Sequence, residues 1–284
     1  MTIPRHNFPT ENAARGVEVI TRSAGRAVED LEENPQVFER ALGITLTVAK
    51  SRCALDPLSG ELPTWEAWVT AMQVGSAMFA SARTAEGTVR CRISDKDRGI
   101  PATGPQPYAD AGNWLSAFYL AIICREQDRM TELCSVPVSL LRESGAIYDE
   151  YIYAWVETLQ AFWLNRPGLG EKLVEAVEGT KPEAARIATP EMMLKILYPP
   201  LELLHRFIRQ DHAQFNVALS DALTWHKEFW TADEDRAMRS DGLVALGPLA
   251  IACLAFDSGY PIEVQSEYLP KALLEGAWLG EFPT

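Results

Sequence analysis

Residues 84–110 read TAEGTVRCRISDKDRGIPATGPQPYAD, and they form the one stretch of this chain with an alternating rather than a helical rhythm. Val89, Cys91 and Ile93 alternate with Arg90 and Arg92, while Gly87, Gly99, Gly104 and prolines 101, 105 and 107 punctuate the rest. Such a pattern predicts a small β-hairpin near residues 87–104, turning at Asp95-Lys96-Asp97-Arg98-Gly99. It also suggests three parts: an N-terminal helical part at 1–84, this loop or hairpin at 85–109, and a helical-hairpin array at 110–284, continuous with the first part as one domain.

Toward the N-terminus the period becomes helical. Residues 12–33 carry Val17, Ile20, Ala24, Ala27, Val28 and Leu31 at three-to-four spacing, which makes one apolar stripe. Asn34-Pro35 supplies a cap and a first-turn proline for a second helix over residues 36–55, so the two should form a hairpin. A third helix is expected after Leu62-Pro63-Thr64, running to Ala82 and heavily buried through Trp65, Trp68, Val69, Met72, Met78 and Phe79.

Toward the C-terminus three similar junctions recur. Arg125-Glu126-Gln127-Asp128, Asn165-Arg166-Pro167-Gly168 and Arg209-Gln210-Asp211 each follow an apolar helix and precede an amphipathic one. Spacing of about 40 residues lies in the range of helical repeats. The fold class is therefore all-α: stacked antiparallel helix hairpins resembling a tetratricopeptide-like superhelix, without that family's consensus. Thr189-Pro190-Glu191 reads as a helix start, Thr231-x-x-Glu234 as a capping box, and Ser266 as the cap of a last helix. Tyr198-Pro199-Pro200 must interrupt or kink what precedes Leu201, since proline removes helix donors.

Composition narrows the function classes. With 284 residues and 47% apolar content the chain can bury a large core without staples. Cys53, Cys91, Cys124, Cys134 and Cys253 are odd in number and include no C-x-x-C pair, which favours buried thiols in a reducing compartment. A net charge of −13 opposes nucleic acid and anionic lipid and attracts a basic protein. The N-terminus lacks the apolar core of a secretory signal. The longest uncharged apolar run, residues 243–256, is 14 residues against the roughly 20 of a membrane span. A cytoplasmic protein is expected.

Catalytic and metal signatures are missing. His205, His212 and His226 are 7 and 14 residues apart, and on one helix adjacent members would lie about 10 Å apart along the axis, too far to share a metal. They read as separate surface or helix-end residues. Gly242-x-x-x-x-Gly247 has phosphate-loop spacing, but Pro248-Leu249 stands where Lys-Ser/Thr would be needed. No cofactor is expected.

Two acidic clusters and one aromatic set are the candidate partner-binding residues. Glu29, Asp30, Glu32 and Glu33 close the first helix at its C-terminus, where negative charge is mildly unfavourable, and should be exposed. Asp233, Glu234 and Asp235 open a short helix after Trp225, Phe229 and Trp230, whose spacing yields either core or interface anchors.

Residues 102–105 (ATGP), Tyr108, residues 112–115 (GNWL), residues 117–121 (AFYLA) and Cys124-Arg125 resemble the immunity protein 49 family of bacterial polymorphic-toxin systems. Residues 242–249 (GLVALGPL) and Tyr268-Leu269-Pro270 extend the similarity. The resemblance implies a protein that binds a cognate toxin domain in the producing cell's cytoplasm, with no catalysis and no cofactor. Alternatives are a helical-repeat adaptor, or an enzyme using His205 or His212 with a carboxylate in a concave face.

Overall fold

The computed structural model describes residues 1–9 and 13–280. Packing divides the chain into two compact units, one of Thr10–Ala146 with Gly276–Thr284, the other of Met1–Pro9 with Ile147–Glu275. The Gly/Pro-rich segment lies inside the first of these, and the chain passes from one unit to the next at residues 146–147.

In the first unit, α1 (Ala13–Asp30) packs on α2 (Phe38–Leu55), α2 on α3 (Leu62–Ala82), and α3 on α4 (Ala111–Ile123). The expected first helix thus begins at Ala13 among described residues, Asn12 lying outside them. Val17, Ala24, Ala27 and Val28 are its buried stripe. The cap at Asn34 is present, its side chain accepting from Gln36 N–H, but it starts a 3-10 turn at Pro35–Val37 that leads into α2. Helix α3 starts at Leu62, ahead of the expected position, with Pro63 at a first-turn site where its missing N–H costs nothing.

Trp65, Trp68, Phe38, Phe79, Trp114 and Phe118 fill this unit's core. Helices α3 and α4 meet at Gly75, where a Cβ would stand 2.9 Å from Ala117 Cβ, so only glycine allows the approach. Asp110 caps α4 by accepting from Asn113 N–H at 2.8 Å, Asn113 Nδ2 donates to Tyr108 O at 2.9 Å, and Trp114 Nε1 donates to Leu133 O at 2.9 Å. The last bond ties α4 to α5 (Gln127–Cys134), which precedes the short α6 (Val138–Glu143).

Strands β1 (Thr88–Ile93) and β2 (Lys96–Pro101) form the antiparallel hairpin, paired from Thr88 with Pro101 to Ile93 with Lys96. The turn is therefore Ser94-Asp95, and the expected turn over Asp95–Gly99 is corrected: Lys96 to Gly99 belong to β2. Ser94 adopts φ of 59°, and its N–H donates to Oε1 of the buried Gln73 at 2.7 Å. That bond from α3 decides where the chain reverses. Ile93 and Ile100 bury one face of the hairpin.

In the second unit, α7 (Tyr151–Trp163) packs on α8 (Leu169–Gly179), with Gly179 so close to Tyr151 that a Cβ would lie 2.8 Å from Tyr151 Cβ. Thr189 accepts from Met192 N–H and opens α9 (Pro190–Met192), as expected from Thr189-Pro190-Glu191. A π-helical turn at Met193–Leu197 then joins α10 (Pro199–Ile208), where Tyr198 N–H reaches back five residues to Met193 O at 2.9 Å. The wider turn is how the helix absorbs the two prolines, which lack N–H groups and would crowd an α-helical turn behind them.

Helix α11 (His212–Trp230) packs on α10, and α12 (Glu234–Ala237), the apolar α13 (Leu246–Asp257) and α14 (Lys271–Leu274) follow. Two expected caps are corrected here. Asp233, not Thr231, caps α12 by accepting from Arg236 N–H, while Thr231 Oγ1 donates back to Lys227 O. Ser266 accepts from Tyr268 N–H in a local turn, and Pro270 precedes α14.

The three junctions read from the sequence share one geometry. Arg125, Asn165 and Gln210 have φ of 57°, 49° and 56°. The next N–H groups, of Glu126, Arg166 and Asp211, reach carbonyls five residues back on Ala121, Ala161 and Arg206 at 2.9, 2.9 and 3.1 Å. This is the left-handed helix stop that glycine usually supplies. Gly259 supplies it after α13, Tyr260 N–H reaching Ala255 O at 2.9 Å. The protein is all-α with one small β-hairpin.

Candidate partner-binding surface

The acidic segment that closes α1 is less uniform than its sequence. Glu29, Asp30 and Glu33 are exposed, whereas Glu32, expected to be exposed, is half-buried. Its Oε2 accepts from Lys96 Nζ at 2.7 Å and Arg98 Nη1 at 3.2 Å. The Lys96 hydrogen bond, more than the nearby Arg98 charge, holds the Glu32 carboxyl below the ordinary carboxylate range. Glu32 therefore clamps the hairpin to α1. Glu29 borders a cleft of about 580 Å³ formed by α1, α2, α3 and the hairpin.

The second acidic cluster has a local explanation. Asp233 caps α12 and pairs with Arg236 Nε at 3.2 Å, and Glu234 and Asp235 occupy the first turn, where they complement the helix dipole. All three remain exposed. Arg236 also bonds Glu191 Oε2 at 3.1 Å and lies 4.4 Å over the Phe229 ring, tying this cluster to the start of α9.

The aromatic set divides. Phe229 is buried and meets Trp230 edge-on at 5.2 Å, with Arg239 5.5 Å over Trp230. Trp225, half-buried, lines a smaller groove of about 180 Å³ with Tyr198, Glu202 and Arg206. Tyr198 donates to Glu202 at 2.9 Å, and burial first, then the Glu202 hydrogen bond, push the phenol up to about 12.

The histidines are held apart by structural tasks. His212 stacks on Tyr260 at 3.9 Å, at the start of α11. His226, read as a surface or helix-end residue, is instead buried and bonds Gly242 O through Nε2 at 3.0 Å. His6 Nε2 donates to Ala237 O at 3.2 Å, and its Nδ1 stands 2.9 Å from the Tyr268 hydroxyl. Burial lowers the His6 pKa from its ordinary 6.5, which keeps this neutral arrangement. Asp149, also buried, accepts from Arg186, Ile187 and Ala188 N–H groups at 2.5, 2.9 and 2.8 Å. Burial alone would raise its pKa, but the three backbone donors outweigh it and lower the value. Among the described residues no group of three or more His, Cys, Asp or Glu side chains could hold a metal ion.

What sequence reading missed is the cleft itself. Its walls come from positions as far apart as Thr21 and Arg98, so no local pattern announces it. Of the candidates, only Glu29 borders it.

Ser240–Asp257 is the one segment among the described residues apolar and long enough to suit a membrane span, and 67% of it is buried in the protein, as a core helix requires. The family model for Immunity protein 49 matches residues 56–273, most of the chain, and the chain belongs to that family. Its role is thus that of an immunity protein, a class generally without enzymatic activity. No curated protein and no solved structure matches it.

Proposed function

We propose that this chain binds a cognate toxin domain in the cytoplasm of the producing bacterium and neutralises it by occluding its working surface. Family membership over residues 56–273 carries the reading. The net charge of −13 supports a basic toxin domain, which would be drawn in by long-range attraction before short-range contacts form. Glu29, Asp30 and Glu33, and separately Asp233, Glu234 and Asp235, are exposed carboxylates available for that attraction. Trp225 is a half-exposed aromatic able to anchor a partner. Phe229 and Trp230 follow it on the same helix, and in the other unit Glu32 fixes the hairpin to the end of α1.

Co-expression with the toxin encoded beside this chain tests the reading. Restored growth and co-purification of the toxin's C-terminal domain with the full chain are the expected outcome. Continued killing without a complex overturns it. Association rates should fall as salt rises, and a rate indifferent to salt would remove the steering component while leaving binding intact.

A further inference from the structure

In the second unit, a groove of about 180 Å³ between α10 and α11 is smaller than the roughly 300 Å³ at which small-molecule pockets begin, but it has room for one long side chain of a partner. Its two walls differ. On α11, Val217, Asp221 and Trp225 recur at four-residue spacing with Ala218 beside them, which sets them along one face of the helix. On α10 the wall is Pro199, Glu202 and Arg206. The larger cleft of the first unit offers no comparable handle, because Trp65 Nε1, Arg98 Nε and Thr21 Oγ1 are buried, without partners and sealed from its open volume.

The charges of the α10 wall are spent on one another. Glu202 Oε2 accepts from the Tyr198 hydroxyl at 2.9 Å, and its Oε1 accepts from Arg206 Nε and Nη2, both at 2.7 Å. Arg206 also has Asp211 at 4.0 Å, so the groove holds no spare positive charge. Asp221 is the opposite case: it is exposed and has no ion pair among the described residues, which leaves the groove one unanswered negative charge. Trp225 is unengaged too. Of the half-exposed Trp163, Trp225, Trp230 and Trp278, it alone has neither a hydrogen bond nor a ring contact among the described residues. Val217, 51% exposed, adds apolar surface to the same face.

Resting on the proposed function above, we infer that this groove receives one lysine or arginine side chain of the toxin domain. The methylene stem of that side chain lies on Val217, Ala218 and Pro199, and its cationic head pairs with Asp221 over the face of Trp225. Other occupants fit worse. An acidic side chain is repelled by Asp221, and an apolar one strips water from that carboxylate without giving it a counter-charge. The bonds among Tyr198, Glu202 and Arg206 fix the α10 wall in advance, so little of it remains to be ordered on binding.

Binding kinetics of the full chain with its cognate toxin domain, inactivated by substitution, provide the test. Asp221→Asn should weaken binding about tenfold, against less than about twofold for Glu183→Gln, an exposed acid of the same unit whose loss changes net charge equally. Trp225→Leu keeps an apolar contact and removes the aromatic face, so dissociation should quicken about tenfold, with Trp225→Phe recovering part of the loss. Val217→Lys, at an exposed site four residues before Asp221, gives the groove a cation of its own; it should weaken binding about tenfold and serves if a Trp225 variant fails to fold. Replacing each Lys and Arg of the toxin domain by Met should then find one whose effect is at least about threefold smaller against the Asp221→Asn chain than against wild type. Equal rates for Asp221→Asn and Glu183→Gln, or no toxin cation coupled to Asp221, overturn the inference while toxin binding stands. Losses confined to the Trp225 variants mark an apolar occupant and overturn it as well. A wild-type chain that does not bind the toxin domain sinks both readings.

Discussion

The Trp65 cleft and the Tyr268 core treat buried polar groups in opposite ways. Around Tyr268 each named group is met: the hydroxyl accepts from His6 N–H at 3.1 Å and donates to His6 Nδ1, and His226 is bonded to Gly242. Asn216, in the same unit on α11, donates to Pro261 O at 2.8 Å and accepts from Glu263 N–H at 2.8 Å. Around Trp65 the donors are equally buried and unmet. Satisfied groups specify a fold, whereas these donors, sealed from solvent and unmet, hold their part of the first unit less firmly.

Substitutions should separate the two regions by the size of their effect. Asp149→Ala, which abandons three backbone donors, should cost about 3 kcal/mol in chemical denaturation, and a loss below about 1 kcal/mol would break the claim that this network is structural. Tyr268→Phe should cost about 1.5 kcal/mol by the same measurement, since it strands both His6 groups. Asp233→Ala should cost about 1 kcal/mol and Thr231→Ala less than about 0.5 kcal/mol, the order that distinguishes the observed cap from the capping box read in the sequence.

Acid sharpens the comparison further. Folded His6 holds its proton less tightly than the unfolded chain, so the unfolded state gains protons first as pH falls through 6.5 and stability drops. Melting temperature should therefore fall from about pH 7 to pH 5, and fall less in His6→Gln. The smallest effect is expected at the cleft: Thr21→Val, which deletes an unpartnered hydroxyl at nearly constant volume, should leave stability within about 0.5 kcal/mol of wild type. A loss as large as that of Tyr268→Phe would mean that the Thr21 hydroxyl has a structural partner after all.

Helices were legible because their signals are local. The α1 stripe, the Asn34 cap, the junctions at Arg125, Asn165 and Gln210, and the alternation of the hairpin all lie within a few residues of what they specify. Where a distant partner decides, sequence reading fell short. The hairpin turn depends on Gln73, 21 residues before Ser94, and Ser94 carries no residue-type sign of its positive φ. Glu32 looked like one more solvated acid because its partners Lys96 and Arg98 lie 64 and 66 residues on. Thr231 and Asp233 are both good cap residues, and only the geometry chooses between them. Of the candidate surface, Glu29 was within reach of composition and position, but the cleft it borders was not.

The strand-like start of the chain has a consequence for how the protein is made. Ile3 N–H bonds Gln265 O at 2.9 Å, Gln265 N–H bonds Met1 O at 2.9 Å, and His6 meets a tyrosine 262 positions later. During synthesis the opening residues leave the ribosome long before their partners exist, while helices α1 to α4 can already pack on one another. At roughly 5–20 residues per second, that wait lasts on the order of 13 to 50 seconds, during which Ile3 has no apolar neighbours from its own unit's end. Newly made chains should thus pass through a stage in which one unit is largely assembled and the other lacks its edge, the interval in which a chaperone has most to protect.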